Sequence, residues 1–182
     1  MRIGLEVMGK IKPPEPALLF ISMLYANPEI FVQAKESLKK NFGDSLLVSP
    51  PMPWDYSSYY QGELGSPVTR RFIFFRDLID PGNLADIKIL TNKIEDSFSV
   101  TVKRPINLDP GYLTLAKVVL ASTKNYAHRL YLGKGIYGEV TLLYHNGKFK
   151  PHLFTYRDYQ EKDCIGVFLN AREMLQEILQ QH

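Results

Sequence analysis

The chain has 182 residues, 45% of them hydrophobic and 23% charged, with a formal net charge of +3. These proportions are ordinary for a folded protein, so they exclude disorder over most of the length and suit one domain spanning residues 1–182. The single cysteine, Cys164, excludes an internal disulfide framework and a cysteine zinc site, and suits a reducing compartment.

The opening segment, MRIGLEVMGKIKPPEPALLF, places charges where a signal peptide needs a continuous apolar stretch. The longest strongly apolar run, Pro16 to Ala26, falls short of the roughly 20 residues that span a bilayer. A cytoplasmic protein without membrane contact is the expectation. PALLFISMLYA reads as a buried strand. Asn27 then caps a helix, with Pro28 at its first position and Glu29 in its first turn. Phe31, Ala34, Leu38 and Phe42 recur at helical spacing and Gly43 ends the helix. Ser45 to Val48 follow as a short strand. In residues 49–67, prolines 50, 51 and 53 remove backbone donors, and the segment reads as a long loop.

RRFIFFRDL gives the next strand. Asp80-Pro81-Gly82 turns the chain into a helix with Leu84, Ile87, Leu90, Ile94 and Phe98 on one side. Lys88, Asn92 and Glu95 form a polar stripe on that helix, for which a solvated face is the favoured account over a site-facing one. A strand from Val100 to Ile106 completes a β-α-β-β-α-β order, the ferredoxin-like arrangement. Asp109-Pro110-Gly111 reads as a turn into an antiparallel β-meander: Ala116 to Ser122, Ala127 to Leu132, Tyr137 to Tyr144 and Lys148 to Thr155. Asn146-Gly147 is the hairpin signal between the last two. A strand near Ile165 to Leu169 and a C-terminal helix capped by Asn170 close the chain. The fold class is therefore α+β: a ferredoxin-like first part, then a meander and a C-terminal helix, with 16–107 and 108–182 as a conceivable subdivision.

Function is sought in the distribution of charge. Residues 99–150 carry eight Lys/Arg against Asp109 and Glu139, a surplus of six. Such a segment attracts phosphates, nucleotides or RNA. In the meander, tight two-residue loops at Asn146-Gly147 and Lys134-Gly135 would gather His128, Glu139, Thr141, Lys150 and His152 on one face. Val140, Leu142, Tyr144, Phe149 and Leu153 would form the opposite, core face. Two imidazoles, a carboxylate and an ammonium together suit anion binding or acid–base chemistry, although a solvated sheet face explains them too. A bulged loop at Gly133–Gly135 would turn His128 to the other side. Arg129 and Tyr131 fall on the apolar face, where they would snorkel or reach a phosphate or nucleobase.

Gly133 to Val140 matches the glycine-rich loop of protein kinases, but no H-R-D or D-F-G accompanies it, and hairpin glycines account for it better. No G-x-x-x-x-G-K-[ST] is present. Cys164 lacks a catalytic context. Two histidines and a carboxylate could hold a divalent metal, but no short ligand motif supports one. Six tyrosines lie between 126 and 159, interleaved with lysines, which would stack RNA bases, although tyrosine is also a favoured strand residue.

The segments INLDPGYLTLAKVVLASTKNYAHRLYLGKGIYGEVTLLY and FTYRDY, with LTNKIE and PPEPALLF before them, resemble a prokaryotic family of domains of unknown function. The resemblance spans almost the whole chain. It implies one compact domain, and some members of that family carry a GTP-binding label. The leading expectation is a phosphate-bearing small molecule or nucleotide as partner. Arg104, Asp109, Lys117, Arg129, Tyr131 and Lys150 would bind it; His128, His152 and Glu139 would transfer protons. The rival is a non-enzymatic module that binds RNA or protein.

Overall fold

In a computed structural model, residues 10–99 and 104–181 are described. Strand β1 (Ala17–Tyr25) is buried at all nine positions because both of its faces are covered. Leu18 and Phe20 point to one layer of helix and Leu19, Ile21 and Met23 to the other. Helix α1 (Pro28–Phe42) starts as its sequence directs: the Asn27 side chain accepts the Glu29 N–H at 2.8 Å. Gly43 ends it with a left-handed φ of 82°. Strand β2 (Ser45–Val48) pairs with β4 (Thr69–Ile79), and β4 with β1. Helix α3 (Leu84–Ser97) leads to β5 (Ile106–Leu113), which takes the other edge of β1. The sheet order β2-β4-β1-β5 is that of a ferredoxin-like βαββαβ unit.

The sheet continues through β6 (Lys117–Ser122) and β8 (Ile136–His145) to β7 (Leu130–Gly133), with β9 (Lys148–Lys150) on β8 as well. The nine strands of the described residues form one antiparallel sheet. Helices α1 and α3 pack on one face, around Leu19, Ile21, Phe31, Leu38, Ile73 and Ile94. Helix α4 (Lys162–Gln180) covers the other, where the Phe168 ring lies 5.0–5.6 Å from those of Phe20, Phe72 and Phe74.

Several expected elements differ. Residues 49–67 are not only loop: Met52–Pro53 forms a short strand, β3, and Ser58–Leu64 forms helix α2. Trp54, Leu64, Leu24 and Val68 make a small core of their own there, too brief for a helical period to show. Residues 165–169 are helical. Cys164, Phe168, Ala171 and Leu175 are buried at helical spacing, and Asn170 is an exposed mid-helix residue rather than a cap. The strand from Lys148 stops at Lys150, where Pro151 has no N–H to give. Of the expected strand from Val100 to Ile106, residues 100–103 lie outside the described residues; β5 starts at Ile106.

Asp109-Pro110-Gly111 is not a turn but the middle of β5. Gly111 is required by close packing: a Cβ there would sit 2.4 Å from both Phe20 Cζ and the Val119 carbonyl oxygen. This segment also opens the sheet. Strand β5 pairs with β6 only over Gly111–Leu113, while the rest of β5 stays paired to β1 alone. The ladder thus stops next to Pro110, which cannot donate to it.

The meander departs from the expected face pattern because of two bulges. The β7–β8 register slips between Tyr131 and Gly133, and the β6–β8 register between Val118 and Val119, leaving Thr141 unpaired on β6. Leu142, Tyr144 and Phe149 pack under α4 as expected, but Val140 packs on the α3 side with Ile136 and Val119. Leu153 is 89% exposed.

Candidate functional site

Where β5 and β6 part, the sheet opens into a cavity of about 530 Å³, the size of ordinary small-ligand sites. Each surrounding element contributes a polar side chain. Helix α3 presents Lys88, Asn92 and Glu95, the stripe whose solvated reading the structure overturns: Lys88 is 6% exposed and Glu95 3%. The helix packs its apolar side on the sheet, and the adjoining stripe falls over the gap between the strands. Asn107 and Asp109 come from β5, Arg104 from just before it, and Ser122 and Lys124 from the end of β6. Arg70 of β4 and Trp54, Tyr60, Asp158 and Tyr159 close one side; Arg129, Glu139 and Tyr156 close another.

The charges are organised as linked pairs. Lys88 Nζ donates to Asp109 Oδ1 at 2.9 Å and to the Leu108 carbonyl at 3.0 Å. Asn107 Nδ2 donates to the second Asp109 oxygen at 2.6 Å. Burial works against the Asp109 carboxylate, but Lys88, Asn107 and Arg70 together hold its pKa below the usual value. Arg104 grips Glu63 with two hydrogen bonds, at 2.7 and 2.9 Å, and reaches Glu95 Oε2 with one of 3.2 Å. The other Glu95 oxygen accepts the Leu108 backbone N–H. Glu95 is therefore a buried carboxylate with its best cation mostly engaged elsewhere. Burial pushes its pKa up to about 7, Asp109 adds to the rise, and Lys88 and Arg104 only partly oppose it.

On the opposite wall Arg129, buried to 1% at its side chain, donates to Glu139 Oε2 at 2.7 Å, Ser122 Oγ at 2.9 Å, the Lys124 carbonyl at 2.8 Å and the Tyr156 hydroxyl. Arg70 is held differently. Its guanidinium carbon lies 4.9, 5.5 and 5.9 Å from the ring centres of Tyr159, Phe72 and Trp54. Nη1 is 2.6 Å from Asp158 Oδ2, an ion contact out of line for a hydrogen bond, and Nε and Nη1 have no hydrogen-bond acceptor among the described residues. Asp158 Oδ2 already accepts the Trp54 indole N–H at 2.8 Å.

Of the residues expected from sequence, Arg104, Asp109, Arg129 and Glu139 line this cavity. His128 stands behind the wall, its Nε2 3.0 Å from Glu139 Oε2 and its ring stacked 4.6 Å from that of Phe154. The others are not brought there. Lys117 sits at the far end of β6, opposite Leu143. Lys150 is exposed on β9, and Tyr131 is 63% exposed on β7. His152 closes its own turn, with Nε2 against the Val140 carbonyl and Nδ1 accepting the Phe154 N–H at 3.2 Å. Its strand ends at Lys150, so the expected pairing with Thr141 never forms. Sequence reasoning missed Arg70, Lys88, Glu95, Asp158 and the Trp54–Tyr60 wall. The i, i+4, i+7 spacing of Lys88, Asn92 and Glu95 was the available signal; Arg70 and Asp158, 88 positions apart, offered none. No three His, Cys, Asp or Glu side chains converge as a metal-holding group among the described residues.

The architecture is a ferredoxin-like sheet widened by a meander, with a half-open polar cavity where its strands separate. The chain belongs to the family of domains of unknown function DUF4416, whose model matches residues 15–175. No curated protein and no solved structure matches it. No helix of the described residues is long and apolar enough to cross a membrane.

Proposed function

We propose that this protein binds a phosphate-bearing small molecule of nucleotide size in the cavity between α3, the split strands and the Tyr156–Tyr159 turn. The observation that carries the reading is Arg70: a guanidinium 6% exposed in the cavity wall, whose Nε has no hydrogen-bond acceptor among the described residues and whose Nη1 has only the out-of-line Asp158 contact. A buried donor left unmet costs roughly 1–3 kcal/mol, and an oxyanion is the natural complement of arginine. Lys88 and Lys124 also line the cavity, and Trp54 and Tyr60 add aromatic surface to its lining. The site differs from the exposed sheet face anticipated from the charge pattern, since Lys117 and Lys150 take no part.

Thermal unfolding measured with ATP, GTP, AMP, a hexose phosphate and orthophosphate tests this. A ligand at 100 times its Kd adds about 2.7 kcal/mol, a rise of several degrees in Tm. Arg70→Met and, at the more exposed rim, Lys124→Ala should each weaken the response. A flat panel at millimolar concentrations would sink the reading. A second reading, an RNA- or protein-binding module, is supported by a separate surface: Tyr126, Leu130, Tyr131 and Leu132 are 54%, 75%, 63% and 43% exposed. Salt-sensitive retention of single-stranded RNA, lost in Tyr126→Ala/Tyr131→Ala and kept in Arg70→Met, would favour it.

A further inference from the structure

With Glu95 ionised, the charges of the cavity lining balance among the described residues. Arg70, Lys88, Arg104, Lys124 and Arg129 face Glu95, Asp96, Asp109, Glu139 and Asp158, five cations against five carboxylates. Glu63 adds a sixth acid through its two bonds to Arg104. An oxyanion placed there makes the buried site net negative, which a low-dielectric cavity resists unless a proton accompanies it.

The partners of each carboxylate decide where that proton goes. Asp109 is held by Lys88 and Asn107, Asp158 by Arg70 and Trp54, and Glu139 by Arg129. Asp96 is exposed at the rim. Glu95 alone among the other four relies on a backbone N–H and a single 3.2 Å contact from an arginine whose fork is taken by Glu63. The groups around it are Lys88 and Asn92 from its own helix, Arg104 and Asp109 from β5 and its approach, and Tyr60 from α2, with Glu63 joined to it through Arg104. The hydrogen bonds from Arg104 to Glu63 raise the arginine's pKa further, so it keeps its charge throughout. Burial already raises the Glu95 carboxyl to about 7.

We infer that Glu95 is protonated when the oxyanion is bound and donates a hydrogen bond to it, so that binding takes up one proton. This deepens the proposal of an anion site and rests on it. The ligand class is an oxyanion that accepts a hydrogen bond from a carboxylic acid, and its affinity falls as pH rises past neutrality.

The experiment titrates the full chain with sodium sulfate and, separately, with AMP between pH 6 and 8.5, by calorimetry in two buffers of different ionisation enthalpy. Sulfate does not itself titrate in this range, so it isolates the protein group. For wild type, sulfate affinity should fall about tenfold per pH unit on the alkaline side, with close to one proton taken up. In Glu95→Gln, whose amide donates at every pH, the slope and the proton uptake should vanish while binding persists. Circular dichroism and Tm confirm that this variant is folded. Sulfate binding with no pH dependence in wild type overturns the inference. A slope that survives Glu95→Gln does the same, and assigns the proton to another group. Binding of neither anion at any pH overturns the anion site itself, a distinct outcome.

Discussion

At the scale of single residues, the cavity is built from buried ions whose stability depends on their partners. Replacing Arg129 by Met leaves the Glu139 carboxylate, 3% exposed, without its guanidinium. Breaking such a pair costs about 3–5 kcal/mol, and Arg129→Met/Glu139→Gln should recover part of that loss in urea unfolding. Glu95 makes a prediction of the opposite sign to most acids. Its folded pKa is raised from 4.5 to about 7. Between those values the unfolded chain ionises while the folded one keeps its proton, so stability is full below 4.5 and declines as pH rises to 7. A displacement of this size is worth roughly 3 kcal/mol. Glu95→Gln should flatten that part of the stability–pH curve; a variant curve that tracks wild type through the window would refute the assignment. Cys164, 2% exposed and pushed up to about 12 by burial, has almost no thiolate at pH 8. It should react with a disulfide reagent only as fast as the protein unfolds.

At the scale of elements, two positions decide whether the layers close. Phe168 of α4 is fully buried against Phe20, Phe72, Phe74, Phe149 and Tyr159. Phe168→Ala should cost about 3–5 kcal/mol in denaturant unfolding. Gly111→Ala tests the close packing of β5 between β1 and β6. Its methyl would meet backbone at Val119 as well as the Phe20 ring, so a side-chain shift alone cannot accommodate it. A loss of about 1–3 kcal/mol or more is expected, and since Gly111 begins the short β5–β6 ladder, ligand binding in the adjacent gap should weaken with it. A Gly111→Ala protein as stable as wild type would mean that β5 does not approach β6 as closely as described.

At the scale of the molecule, the sheet is continuous from the ferredoxin-like strands into the meander. Residues 107 and 108, where the chain might have been divided, are neighbours within β5, and β5 is paired to β1 along its length. Heat should therefore unfold the protein in one cooperative transition, with calorimetric and van't Hoff enthalpies in agreement. Two separated transitions would show that the meander has a core of its own. The overall charge of +3 has little bearing on the site. Among the described basic residues of the positive segment, Arg104, Lys124 and Arg129 line the cavity, and two of those are spent on internal acids.

The sequence by itself determined the helix at Pro28, the strand of β4, the helix after Asp80-Pro81-Gly82 and the Asn146-Gly147 hairpin, because caps, turn residues and apolar spacing act over a few positions. It also pointed to Arg104, Asp109, Arg129 and Glu139. Tertiary structure decided that Asp109-Pro110-Gly111 lies in a strand, that bulges at Thr141 and Leu132 reassign faces, and that Arg70, Lys88, Glu95 and Asp158 share one hollow. The reason is range: a ladder ended by a proline, or a guanidinium clamped by rings from three segments, is fixed by contacts between residues far apart in the chain. No local pattern of charge or hydropathy encodes those contacts.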